Sequence, residues 1–139
     1  MIRILWADDE IESLKPHLLF LKKKGYEVEA VNSGNEAVEK FNEKQFDLVF
    51  LDENMPGMNG LVALEEIKIL NPSTPVVMIT KSEEEMIMEE AIGKQISDYL
   101  IKPVNPNQIL MAIKKLLDGK RLVSENNSSS YQQKFREIG

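Results

Sequence analysis

Residues 46–60 read FDLVFLDENMPGMNG, and the first six of them are almost continuously apolar. Such a run suits a central strand covered by helices on both faces, the usual setting of a parallel sheet. It ends at Asp52. Met55-Pro56-Gly57 then follows, with Pro and Gly placed for a type II turn, so Asp52 is either the start of a turn or a functional group at a strand end.

Three further apolar runs end the same way. Ile2 to Ala7 closes in Asp8 and Asp9, Val76 to Ile79 in Thr80, and Tyr99 to Ile101 in Lys102-Pro103. These runs alternate with helical patterns, which predicts βαβ units and one parallel sheet. Asp8, Asp9, Asp52, Thr80 and Lys102 then gather at the carboxyl edge, where open α/β folds place their ligands. The run Tyr26 to Val31 is interrupted by Glu27 and Glu29 at alternate positions, so only one of its faces can be fully buried. It belongs at an edge of the sheet.

Helix starts are marked by capping-box spacings at Ser33 with Glu36, Ser82 with Glu85, and Asn105 with Gln108. Pro106 takes the first position of the last helix, where a missing N–H costs nothing. Gly25, Gly93 and Gly119 sit where helices should stop. Pro16 lies inside the pattern Ile11, Leu14, Leu18, Leu21, so the first helix either begins near Ser13 or kinks. In the fourth predicted helix, 82–93, Met86, Ile87, Ala91, Met88 and Ile92 spread over an arc of about 240°. That arc is wider than one sheet-facing stripe, so part of it is a partner surface or lies under neighbouring helices.

A chain of 139 residues with 42% hydrophobic content can build one good core. It has no cysteine for disulfides or thiolate metal sites, no apolar run near the ~20 residues of a membrane span, and no signal-peptide stretch. A soluble, cytoplasmic protein is expected. The net charge of −6 is uneven: residues 1–119 hold 13 basic and 21 acidic side chains, and 120–139 hold 4 and 2. An acidic main domain argues against direct nucleic-acid binding, which rests on neutralising phosphates. Residues 1–119 are expected to form the domain, and 120–139, with the polar stretch SENNSSS, a linker and the start of a following segment.

The strand-end residues also have a shared chemistry. Neighbouring strands lie about 4.8 Å apart, so carboxylates ending adjacent strands approach within a few ångströms. Two like charges about 4 Å apart cost roughly 4 kcal/mol at an effective dielectric of 20. Three such carboxylates call for a cation, and hard oxygen ligands suit Mg²⁺ with a position left for a phosphate oxygen. With Mg²⁺ and the Lys102 ammonium beside it, a carboxylate can attack phosphorus and form an aspartyl phosphate, with Thr80 supplying a hydroxyl donor. Singly, Asp8 or Asp9 reads as a helix cap and Lys102-Pro103 as a bend; the five together point to a phosphoryl-accepting site.

The segments ADDE (7–10), FLDENMPGMNG (50–60), MIT (78–80) and DYLIKPV (98–104) stand in the order and approximate spacing of the receiver domain of two-component response regulators, which the chain resembles over nearly all of residues 1–119. The resemblance implies a three-layer, doubly wound (βα)5 flavodoxin-like fold with sheet order 2-1-3-4-5. It makes Asp52 the phosphoacceptor, served by a sensor histidine kinase. Asp9, Asp52 and the Asn54 carbonyl would bind Mg²⁺, with Asp8 acting mostly through water, and Lys102 would contact the phosphoryl group beside a cis Lys102-Pro103 bond. Thr80 and Tyr99 would be the switch pair, remodelling the face made by the fourth predicted helix, fifth strand and fifth helix to control homodimerisation or an effector domain. Such a domain is not an enzyme beyond forming and hydrolysing its own aspartyl phosphate. Lys81 departs from the small residue usual in the family after that threonine; its cation either hinders or binds the phosphoryl group, and Ser82 and Pro103 are further modulator positions. Trp6 replaces the usual aliphatic residue and is read as core packing.

ILWADDEIESLKPH (4–17), LDENMPG, ITKSEEE, DYLIKPVNPNQIL and the tail KRLVSE with YQQKFREI further resemble PorX-type regulators. That resemblance implies a C-terminal PglZ effector of the alkaline phosphatase superfamily, a hydrolase-like domain, and an association with type IX secretion. The competing expectation is a receiver-like scaffold that switches by partner binding without phosphorylation.

Overall fold

A computed structural model describes residues 1–81, 92–93 and 95–118. Ser82, almost all of the fourth predicted helix and everything from Gly119 onward lie outside the described residues. Residues up to Pro106 form one compact unit. Its strands are β1 (Arg3–Ala7), β2 (Glu27–Val31), β3 (Leu48–Asp52), β4 (Val76–Thr80) and β5 (Asp98–Ile101). All pair in parallel, in the order β2-β1-β3-β4-β5. The doubly wound receiver topology expected from the sequence is therefore present, with β2 on an edge.

The period of two sorts the central strands into two faces. Leu5, Ala7, Val49, Leu51, Val76 and Met78 pack with Ala37 and Phe41 of α2 (Gly34–Glu43) and Ala63, Leu64 and Ile67 of α3 (Gly60–Leu70). Ile4, Trp6, Leu48, Phe50, Val77 and Ile79 occupy the alternate positions and are buried. On that side Trp6 meets Phe50 at 5.2 Å between ring centroids and His17 of α1 (Lys15–Lys23) edge-on at 6.1 Å. Trp6 is core, as expected.

The chain after β1 does not enter α1 directly. Ile11–Leu14 forms a single 3-10 turn, and α1 starts after it with Pro16 in its first turn. The late start expected from Pro16 is the arrangement found, because a proline in the first turn gives up only an N–H that the helix cannot use. At the other end, the Gly25 N–H donates to the Lys22 carbonyl and the Tyr26 N–H to the Leu21 carbonyl, a closure that needs the φ of +93° at Gly25. The Ser33 hydroxyl accepts from the Glu36 N–H at 3.2 Å, as its spacing predicts. Asn59 caps α3 in the same way, accepting from Val62 N–H at 3.0 Å.

The helix Pro106–Ile113 leads into a second unit and is described by itself: Pro106 opens it, and Ile109, Ala112 and Ile113 form its buried stripe. Among the described residues no helix is long and apolar enough to cross a membrane.

Gly60 holds β3 to α3. A Cβ at this position would collide with the Asp52 carbonyl oxygen and reach 2.7 Å from Glu53 Cα. Both obstacles are backbone, which cannot rotate away. Gly60→Ala should therefore lower the unfolding free energy by about 2–3 kcal/mol, the range of core overpacking, as measured by urea denaturation. A change below about 0.5 kcal/mol would mean that the two segments are not locked together.

Candidate functional site

The register brings the site together. Ala7 pairs with Leu51, Asp52 with Ile79, and Thr80 with Ile101, so Asp8, Asp52, Thr80 and Lys102 all end neighbouring strands. Alternation sends Asp8 and Asp52 to the same face as Trp6 and Phe50. Oxygens of Asp8, Asp9 and Asp52 all lie within 4.8 Å of one another. Asp8 and Asp52 are buried, with 1% and 2% of their surface exposed, while Asp9 faces solvent.

Lys102 is the cation of this cluster. Its Nζ lies 3.0 Å from Asp8 Oδ2 and 3.4 Å from Asp52 Oδ2. The Lys102 N–H donates to the Thr80 carbonyl at 2.7 Å, which ties the end of β5 to the end of β4. The Lys102-Pro103 bond is cis, as the family resemblance implied. Asp8 also accepts from the Glu10 N–H at 2.8 Å, and Asp52 from the Asn54 N–H at 3.4 Å. Asp8 therefore ties down the loop before α1 without capping that helix.

One ammonium does not balance three carboxylates. Burial, and next the charge of Asp8, push the Asp52 carboxyl from its ordinary 3.8 to about 7, against the opposing pull of Lys102 and the Asn54 N–H. For Lys102, burial is the largest influence and acts downward. The hydrogen bond to Asp8, with the charges of Asp52 and Asp8, outweighs it, and the net shift is upward. The two shifts have one origin: negative charge in excess in a dehydrated place.

Thr80 is buried, and its hydroxyl lies 3.5 Å from Glu53 Oε2, at the limit of a hydrogen bond. Tyr99 is half-buried and packs on the core shared with α2 and α3, two positions before Ile101, which pairs with Thr80. Lys81 points toward solvent and pairs with Glu10 at 3.3 Å across the mouth of the site. Glu53 and Glu10 were not singled out from the sequence. Each directly follows a cluster aspartate, and that adjacency was the available signal.

A family model described as the response regulator receiver domain matches residues 4–114. The chain belongs to this family. It is 34% identical to the chemotaxis protein CheY of Thermotoga maritima over 116 residues, covering 82% of this chain and 96% of that protein. It is 33% identical to the transcriptional regulatory protein ZraR of Escherichia coli K12 over 99% of its own length, but spans only 31% of ZraR. A receiver domain structure from Methanospirillum hungatei JF-1 superposes with a TM-score of 0.83 at 30% identity, covering 87% of this chain and 97% of that one. The chain is thus a phosphoacceptor domain of the kind that forms and hydrolyses its own aspartyl phosphate. The three-carboxylate cluster fits Mg²⁺: its donors are hard oxygens, and its excess charge is what a divalent cation offsets.

The raised Asp52 pKa predicts how stability depends on pH. Between 3.8 and about 7 the folded protein holds a proton that the unfolded chain does not, so stability falls as pH rises through this window and levels above it. In metal-free buffer Asp52→Asn should be more stable than the parent by about 2–4 kcal/mol at pH 8, with the difference vanishing toward pH 4. Chemical denaturation of both proteins across that range checks this; a difference that does not change with pH would contradict the shift.

Proposed function

We propose that Asp52 is the residue that accepts the phosphoryl group, from a phosphohistidine of a sensor kinase. The observation that carries this reading is the placing of Asp52 within 4.8 Å of Asp8 and Asp9, with Lys102 bonded to both buried members of the cluster. Asp8 is held by Lys102 and the Glu10 N–H, and Asp9 sits at the rim, which leaves Asp52 the carboxylate at the end of the central strand.

The Asp52 oxygen attacks phosphorus, the phosphorus–nitrogen bond of the donor breaks with its electron pair going to the nitrogen, and the kinase imidazole, protonated on its other nitrogen, leaves as the neutral ring. Mg²⁺, held by Asp9, Asp52 and the Asn54 carbonyl, would offset the carboxylate charge and draw charge from the phosphoryl oxygens. The Lys102 ammonium, already against Asp52, is in position to follow the charge onto the new phosphoryl group. Thr80 exchanges its weak contact with Glu53 for a bond to a phosphoryl oxygen. The space it leaves is then open to the Tyr99 ring, which couples the site to the surface beside β5. Lys81 and Pro103 act as modulators at the rim, with Ser82 beyond the described residues.

The output in this reading is homodimerisation through the face that includes β5, or control of a C-terminal effector. The likeness of residues 4–17, 98–110 and the tail to PorX-type regulators supports a PglZ effector and a link to type IX secretion. The chain spans about a third of the length of ZraR, so that relative extends well beyond the part it shares with this chain.

Incubation with acetyl phosphate and Mg²⁺ should add one phosphoryl group by intact mass, none to Asp52→Ala, and to Lys102→Ala at a rate lower by about 10²-fold. Equal labelling of Asp52→Ala would refute the assignment, and no labelling of the parent would leave a scaffold switched by partners alone.

A further inference from the structure

Among the described residues, two buried side-chain polar atoms have no hydrogen-bond partner: Trp6 Nε1 and His17 Nδ1. Both residues line the same cleft, about 420 Å³ in volume, between the start of α1 and the segments that follow β4 and β5. Orphaned buried polar groups are rare and costly in folded proteins. Two on one cleft of ligand size call for a common partner.

The chemistry of that partner follows from its surroundings. His17 Nε2 lies 2.7 Å from the Val104 carbonyl oxygen, which can only accept, so Nε2 carries the proton. In the neutral ring Nδ1 is then a bare acceptor, while the Trp6 indole offers a donor. A hydroxyl has the matching chemistry, able to accept from the Trp6 indole and to donate to His17 Nδ1. Leu14, Ile79, Pro103 and Val104 form apolar walls that suit an apolar body, with Ser13 beside them. Of the charged groups on the rim, Lys81 pairs with Glu10 and Lys102 is shared by Asp8 and Asp52, so the unpartnered donor and acceptor deeper in the cleft set the chemistry of its ligand.

We infer that this cleft is a binding site for a small neutral molecule carrying a hydroxyl on an apolar body. Trp6 is fully buried and His17 half-buried, and neither unpartnered nitrogen is open to solvent, so a ligand reaches them as the His17 ring moves. Asp8 and Lys102 belong both to the wall of the cleft and to the acidic cluster, so occupancy bears on the phosphoryl site. The site gives this domain an input other than phosphorylation, and it stands whether or not Asp52 is the phosphoacceptor.

Trp6 is the single tryptophan of the chain, so its indole N–H gives one resolved side-chain resonance in a proton–nitrogen correlation spectrum. Benzyl alcohol should shift that resonance saturably, with half-saturation on the order of millimolar, and toluene at equal concentration should give less than about a tenth of the shift. In His17→Phe the preference for the alcohol should fall below about threefold. An indole resonance that does not move, that moves without saturating, or that responds equally to toluene would overturn the proposal, and these readings on the parent protein need no variant to fold.

Discussion

The Lys102 ammonium lies 3.0 Å from Asp8 and 3.4 Å from Asp52, and the rest of the site is arranged around the charge it leaves uncancelled. A buried carboxylate pair facing a single ammonium is under-compensated. The cost appears as a carboxyl group held near neutrality at Asp52 rather than fully ionised. A divalent cation removes that cost, and a phosphoryl group added on top of it brings charge that the same cation and Lys102 can meet. The domain thus holds a local instability that a divalent cation relieves, as functional sites often do.

Keeping such a cluster together requires a frame that does not yield. Parallel pairing of β1, β3, β4 and β5 aligns their ends, and the apolar layers on both faces hold the strands in that register. Gly60 lets α3 begin directly against the Asp52 carbonyl, and the Lys102 N–H bond to Thr80 fixes the far side. Around this rigid edge the contacts of the rim are weaker. The Lys81–Glu10 pair is largely exposed, and such pairs contribute at most about 1 kcal/mol. The Thr80–Glu53 contact is long. Firm strand ends with loose rim contacts allow the rim to rearrange while the cluster stays in place.

Much of this was legible in the residues. Apolar runs ending in Asp8, Asp52, Thr80 and Lys102 predicted both the sheet and its functional edge, because strand burial and strand-end polarity are local properties of the chain. The alternate glutamates of β2 placed it at the edge for the same reason. What could not be read depends on distant partners. Asn59 caps α3 without the glutamate or glutamine three residues on that marks a capping box, so its role emerges only with the helix in place. His17 meets Val104 across 87 residues, and the unpartnered nitrogen of Trp6 is visible only once the core has closed around it. Glu10 and Glu53 read as surface charge until the loops carrying them fold over the cluster.

Calorimetric titration of Mg²⁺ at pH 8 and pH 6 tests the central claim most directly. If the ion enters a cluster in which Asp52 holds its proton to about 7, protons and metal compete for the same carboxylate. The apparent affinity should then be about tenfold weaker at pH 6 than at pH 8, with protons released to the buffer on binding at the lower pH. Equal affinity at the two values, with no proton release, would mean that the buried aspartate is already ionised and that charge excess is not what governs this site.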